Sequence, residues 1–308
     1  MFQNQSKYFK INHIFGDYIS DCTKFCNYDI MTRVMEKKYK IIACDLDETL
    51  LNSERKVSAE NVEAIQEARN AGVRFVLCTG RGYKSAEGTL KEIGLFKEAG
   101  EYVISFNGGA ITENSGERLL HFDALDFDVA RALVEKAKNY DVCMHAYTKD
   151  TVYVYNFVEN ERAYVAGRMN VVEIDEMSID FLRGQDIVKV LFMNESEEYR
   201  KQMKIDFADI AKSCEVSFSS NRYIEFNKKG VDKGRGLAIL AEKLGVDIAD
   251  TIAIGDNFND LSMIKAAGLG VGVANSADGI KPYCDYITTR THDESAIAEV
   301  INKFILGL

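Results

Sequence analysis

Four short stretches of the chain hold side chains able to do nucleophilic, acid–base or metal chemistry. Asp45-Leu46-Asp47-Glu48-Thr49 directly follows the apolar run Lys40-Ile41-Ile42-Ala43-Cys44. Two carboxylates two residues apart, just past a strand, would point into one crevice. Carboxylate oxygens are hard ligands suited to Mg²⁺, and a carboxylate can also accept a phosphoryl group. Thr79-Gly80-Arg81 offers a hydroxyl and a glycine N–H that can hold a phosphoryl oxygen. Lys233 stands in Lys-Lys-Gly-Val-Asp-Lys-Gly-Arg-Gly. A buried lysine there would offset charge in a phosphoryl-transfer transition state. Gly255-Asp256-Asn257-Phe258-Asn259-Asp260 adds two carboxylates, and Phe258 stands where a calcium loop would need Asp or Asn. Taken singly, each stretch has a plainer and better reading. Those readings are an Asp-rich turn, an N-cap or a solvated lysine. Taken together they place four carboxylates, a hydroxyl and a lysine at one end of a set of strands.

The elements that must hold them follow from hydrophobic period. Lys40–Cys44 and Val73–Cys78 are apolar runs bounded by polar residues, as buried strands are. Ser58 opens a helix that Val62, Ile65 and Ala68 continue, and Gly72 sits where a C-terminal cap belongs. A second helix around 84–93 and a third strand at 102–106 complete an alternation that predicts a parallel sheet with right-handed crossovers. Such sheets bind ligands at the carboxyl ends of their strands. From about Leu119 to Arg222 the order changes to helices and paired strands, with the tight Tyr147–Val152 hairpin predicting antiparallel pairing. This is an α+β insert. After Gly230 the strand–helix alternation resumes, and it ends in a helix expected over 293–304. Gly268-Leu269-Gly270-Val271-Gly272 follows a helix and forms a strand, the reverse of a dinucleotide-binding turn.

Length and composition bound the answer. The 308 residues carry 38 Lys+Arg against 48 Asp+Glu, a net charge of −10, and 46% are hydrophobic. That is a globular balance with room for two domains or one large one. The acidic excess argues against nucleic-acid partners, and no apolar run is long enough to span a membrane. Seven scattered cysteines fit a reducing cytoplasm. Cys22 and Cys26 lack the second ligand pair of a zinc finger. Residues 1–37 show no clear period and read as an N-terminal extension outside the fold, though an arm packing on a partner is the other reading.

With all four stretches in view, the chain resembles the haloacid dehalogenase superfamily. Asp45-Leu46-Asp47-Glu48-Thr49, Thr79-Gly80-Arg81, Lys233 and Gly255-Asp256-x-x-Asn259-Asp260 look like its four motifs in order. Ser105-Phe106-Asn107-Gly108-Gly109 is similar to the Asn-Gly-Ala segment of the Cof-like branch, the subclass IIB phosphatases, with Gly109 where Ala is usual. That branch places a large α+β cap between the second and third motifs. The resemblance covers 38–308 and implies a Rossmann-like α/β core at 38–118 and 223–308, with a cap at 119–222. It further implies a Mg²⁺-dependent phosphatase of small phosphorylated metabolites, sugar phosphates or phosphorylated cofactors. Asp45 would be the nucleophile, forming an aspartyl-phosphate, and Asp47 the general acid and base. Mg²⁺ would be held by Asp45, the Asp47 backbone carbonyl and Asp256, with Asp260 as ligand or supporting partner. Thr79, Gly80, Arg81, Asn107, Lys233 and Asn259 would contact the phosphoryl group or the nucleophile.

Two other readings stand beside it. A phosphomutase needs a second phosphate site, for which Arg162 and Arg168 are the nearest candidates, though surface solvation suits both better. A phosphosugar sensor on the same fold would be favoured by loss of Asp45 or Asp47, and both are present. In the insert His145, Tyr147 and Arg162 could reach a leaving group, with packing or surface roles the better reading of each. Oligomeric state is not legible.

Overall fold

The computed structural model describes residues 39–167 and 169–308. The expected N-terminal extension, Cys22, Cys26 and Arg168 lie outside the described residues. The chain begins with β1 (Ile41–Cys44), α1 (Ala59–Asn70), β2 (Arg74–Cys78), α2 (Tyr83–Glu92) and β3 (Tyr102–Ser105). A hairpin of β4 (Ala110–Glu113) and β5 (Arg118–Phe122) follows. Next come α3 (Phe127–Ala137), β6 (Cys143–Tyr147), β7 (Val152–Tyr155), α4 (Glu159–Val165) and β8 (Val171–Glu173). These lead to β9 (Lys189–Met193), α5 (Glu197–Asp206), β10 (Cys214–Ser219) and β11 (Tyr223–Lys228). The remainder is α6 (Lys233–Lys243), β12 (Thr251–Gly255), α7 (Leu261–Ala266), β13 (Leu269–Gly272), β14 (Tyr286–Ile287) and α8 (Ala296–Ile301).

The strands form two sheets. The first runs β14-β13-β12-β1-β2-β3-β4-β5. It is parallel from β14 to β3, and β4 and β5 add an antiparallel edge. Its central strands are apolar on both faces, as helices on both sides require. Ile42, Phe75, Leu77 and Ile254 pack with α1, α2 and α8. Their neighbours Ile41, Ala43, Val76 and Ala253 pack with Leu237 and Leu240 of α6 and Met263 of α7. From β1 the chain steps to β2 and β3 on one side, and from β12 to β13 and β14 on the other. The order therefore reverses between β1 and β12, where such sheets open a crevice. The second sheet runs β10-β11-β9-β6-β7-β8. Its pairs are antiparallel except β7 with β8. Met203 and Phe207 pack with Phe192 and Phe226 on one face. On the other face Tyr147, Leu191 and Tyr223 share a cluster with Phe106 and Ala110.

Three details differ from the sequence reading. Expected limits of 119–222 for the insert do not follow sheet membership: 119–122 belong to β5 in the first sheet, and 223–228 to β11 in the second. Tyr223-Ile224-Glu225-Phe226 alternates as an edge or a central strand of either sheet would, so only its partners β9 and β10 decide. The β4–β5 hairpin extends the parallel sheet with a reversed edge. The closing helix breaks at Ser295, which is left-handed (φ 64°), and ends in a wider π-type turn over Asn302–Leu306. Within the described residues no helix is long and apolar enough to cross a membrane.

Candidate active site

Asp45 is the first residue past β1, and its N–H donates to the Ile254 carbonyl of β12 at 3.0 Å. The backbone is thus pinned at the crevice, with the side chain buried. Asp256 is the first residue past β12, and its Oδ1 accepts from the Thr49 hydroxyl at 2.9 Å. Asp260 lies in the following turn. Its Oδ2 accepts the N–H groups of Asp256 and Asn257, both at 3.0 Å. Gly255 makes this possible, because a Cβ there would lie 2.4 Å from the Asp260 Cβ. Lys233 opens α6 behind its N-cap Asp232, and its side chain is fully buried. Its Nζ lies 2.5 Å from Asp45 Oδ1 and 2.5 Å from Asp260 Oδ1.

Oxygens of Asp45, Asp256 and Asp260 lie within 4.8 Å of one another. Three buried carboxylates face one ammonium, and the imbalance shows in the acidity of Asp45 and Asp256. Burial pushes Asp45 up to about 7, with Asp260 and Asp47 adding and Lys233 opposing. Burial pushes Asp256 up to about 9, and the Asp45 and Asp260 charges add to it. Burial alone would lower Lys233, but Asp260 and Asp45 outweigh it and hold the ammonium well above its ordinary value. A buried cluster of hard oxygens with excess negative charge suits a small divalent cation.

The other predicted residues surround this cluster. Thr79, past β2, is buried and accepts the Arg81 N–H at 3.0 Å, while its carbonyl accepts the Asn107 N–H at 3.0 Å. Gly80 is tucked under Asn107: a Cβ there would stand 3.1 Å from the Asn107 Oδ1. Phe106 and Asn107 are both left-handed, with φ of 53° and 55°. That geometry suits Asn but strains Phe, and strain of this kind gathers at functional sites. It leaves the Asn107 Oδ1 buried without a hydrogen-bond partner. Arg81 is ion-paired with Asp47 through two contacts, the Nε one at 2.9 Å. The Asp47 side chain is half exposed and stands outside the three-carboxylate cluster. Asn259 lines the cleft from the Asp256–Asp260 turn.

The cleft between the two sheets has a volume of about 1060 Å³ and is open to solvent. Asp45, Thr79 and Asn107 line its inner end, and Tyr147, Lys189 and Glu225 face it from the second sheet. Two of the insert residues weighed from the sequence stand elsewhere. His145 is fully buried, and burial, reinforced by Lys189 and Arg222, pulls it down to about 3. Arg162 pairs with Glu173 at the surface and stacks on Phe157. Sequence reading gave no role to Thr49, Lys189 or Glu225. Thr49 was within the first motif, but its partner lies 207 residues away. Lys189 and Glu225 come together only when β9 and β11 are paired.

Residues 42–301 match the haloacid dehalogenase-like hydrolase family. The 5-amino-6-(5-phospho-D-ribitylamino)uracil phosphatase YcsE of Bacillus subtilis is 32% identical over 267 residues, 87% of this chain and 96% of its own. A haloacid dehalogenase-like hydrolase from Bacteroides thetaiotaomicron is 30% identical and superposes with a TM-score of 0.76, covering 86% of this chain and 99% of that one. The subclass IIB sugar phosphatase BT4131, 21% identical, shares the fold with a TM-score of 0.74 over 86% of this chain and 98% of its own. The molecule is thus an α/β protein that carries its acids at the switch point of a parallel sheet. It belongs to the haloacid dehalogenase-like hydrolases and is a phosphoric monoester hydrolase.

Proposed function

We propose that the protein is a Mg²⁺-dependent phosphatase that cleaves small phosphomonoesters through an aspartyl-phosphate on Asp45. The observation that carries this is the shared grip of Lys233 on Asp45 and Asp260 in a buried acidic cluster at the sheet's switch point. In the first step a carboxylate oxygen of Asp45 attacks phosphorus and the ester oxygen leaves, taking a proton from Asp47. In the second, Asp47 takes a proton from water as its oxygen attacks the phosphorus, freeing Asp45 and inorganic phosphate. Thr79, the Gly80 N–H, Arg81 and Asn107 hold the phosphoryl oxygens, with Asn259 at the rim. Lys233 keeps Asp45 oriented and offsets the gathering negative charge. Arg81, paired with Asp47 here, positions the acid and is drawn on by an incoming phosphoryl group.

Asp45, the Asp47 carbonyl and Asp256 would hold Mg²⁺, with Asp260 as ligand or support. Bound there, the ion would screen the repulsion between anionic nucleophile and anionic ester. The second layer acts as a cap over the cleft, excluding water during transfer. Core and cap would divide near 122 and 229, where the chain leaves and rejoins the first layer. Sugar phosphates or phosphorylated cofactors are the substrates this cleft and these relatives support.

Phosphate release from p-nitrophenyl phosphate tests the reading. Asp45→Asn is expected to reduce turnover to background in a folded protein, and EDTA to stop the wild type until Mg²⁺ is restored. Near-wild-type activity of the variant, or turnover without metal, would refute it. A panel of phosphorylated metabolites then identifies the substrate.

A further inference from the structure

The second sheet turns a buried charged pair toward the cleft. Lys189 opens β9 and Glu225 lies in β11, each 3% exposed. Their strands are neighbours, with Lys189 opposite Asn227 and Leu191 opposite Glu225, so the two side chains sit diagonally on one face. Lys189 Nζ lies 2.6 Å from Glu225 Oε2 and 3.2 Å from the Gly80 carbonyl oxygen. It also stands 4.7 Å above the centre of the Tyr147 ring. Glu225 Oε1 accepts from the Ser219 hydroxyl.

Stability gives little reason for this pair. Desolvating two charges offsets most of their attraction, and an apolar pair of similar volume does as well. Tyr147, Leu191 and Tyr223 on the same face show that such a pair would fit. What the ions add is hydrogen-bonding capacity at a wall of the cleft. The ammonium has three donors, of which Glu225 and Gly80 take two. The carboxylate has about four acceptor positions, of which Lys189 and Ser219 take two. The contact with Gly80 sets this capacity beside the segment proposed to hold the phosphoryl group. The first carbons of a leaving group would therefore lie against it. The pair is neutral overall, so it suits uncharged hydroxyls better than a second phosphate.

We propose that Lys189 and Glu225 are the specificity-determining residues for the leaving group, Lys189 donating to and Glu225 accepting from adjacent hydroxyls on the carbons nearest the ester oxygen. This rests on the phosphatase reading of the same cleft. Glycerol 3-phosphate and propyl phosphate share a three-carbon chain and differ in those hydroxyls, so their affinity ratio isolates the effect. Calorimetry in the Asp45→Asn background with Mg²⁺ measures it without turnover. The expected ratio favours glycerol 3-phosphate by about tenfold. Lys189→Met combined with Glu225→Leu keeps the volume and removes both charges, and should bring the ratio to about twofold or less. Glu225→Gln, which keeps the shape, should lower it by a smaller factor. No preference in the parent overturns the proposal. So does an unchanged ratio in either variant, or an equal loss for both ligands, which would mark a purely structural pair. Phosphate release from glycerol 3-phosphate by the wild type, followed alongside, tests the phosphatase reading separately.

Discussion

Asp45 and Asp256 are buried beside Asp260, and Lys233 offsets only part of the cluster's negative charge. Their folded values of about 7 and about 9 compare with about 4 in an unfolded chain. Between those limits the folded protein binds protons that the unfolded chain has released. Stability is then fully present below about pH 4 and is lost as pH rises through the folded values. The metal-free protein should therefore have a lower thermal midpoint at pH 8.5 than at pH 6.5, by about 1.4 kcal/mol of stability per pH unit and per proton difference. Mg²⁺ should raise the midpoint more at pH 8.5, because it binds the ionised form. Asp256→Asn should flatten the slope, and a flat wild-type profile would contradict the shared acidic cluster. At this scale the sequence was informative for the acids and for Lys233, whose types and order carried the resemblance. It was silent on Thr49, because a hydroxyl says nothing of a partner 207 residues away.

Elements bring those residues within reach of one another. The start of α6 delivers Lys233, and it does so by passing very close to the turn after β3. A Cβ on Gly108 would lie 2.1 Å from the Asp232 carbonyl oxygen, and Gly108 itself has φ 94°. Gly108→Ala must strain its backbone and push the N-cap of α6 away. A loss of about 2–4 kcal/mol is expected, together with a fall in turnover as Lys233 shifts, while an unchanged urea midpoint would show that the close approach is not needed. The helix start at Ser58 was legible because its cap is local: the side-chain oxygen accepts an N–H three residues on. The membership of β11 was not legible, since a strand carries the same period-two pattern whichever sheet it joins. The β4–β5 hairpin was hidden for a related reason. Its turn residues Asn114–Glu117 sit where a link to the insert was expected, and pairing with β3 alone makes them an edge.

Across the whole molecule, Asp123 joins the two crossings between the layers. It follows β5, and its buried carboxylate accepts from His121 at 2.6 Å, Lys228 at 2.8 Å and Arg235 at 2.5 Å. Lys228 ends β11 and Arg235 lies on α6, so one side chain ties the outgoing chain to the returning one. Burial pushes the Asp123 carboxyl up, but the Lys228, Arg235 and His121 hydrogen bonds outweigh it and leave it below the usual range. Its contribution is thus present above about pH 4 and lost as pH falls through the folded value. Asp123→Asn should lower stability by about 1–2 kcal/mol at pH 7, since two of its partners are largely solvated. The difference from wild type should shrink at pH 3, and an equal difference at both would sink the staple. The net charge of −10, of which residues 119–222 carry −6, also follows from sequence alone and argues against polyanionic partners. The sequence by itself determined the strand–helix alternation and the order of the acids and Lys233 along the chain, because period and motif order are local and linear. Tertiary structure alone decided which sheet β11 joins, that Thr49 meets Asp256, and that Lys189, paired with Glu225, reaches the Gly80 carbonyl. Those facts depend on strand pairing and on the approach of two layers, and burial and desolvation act only once both are in place.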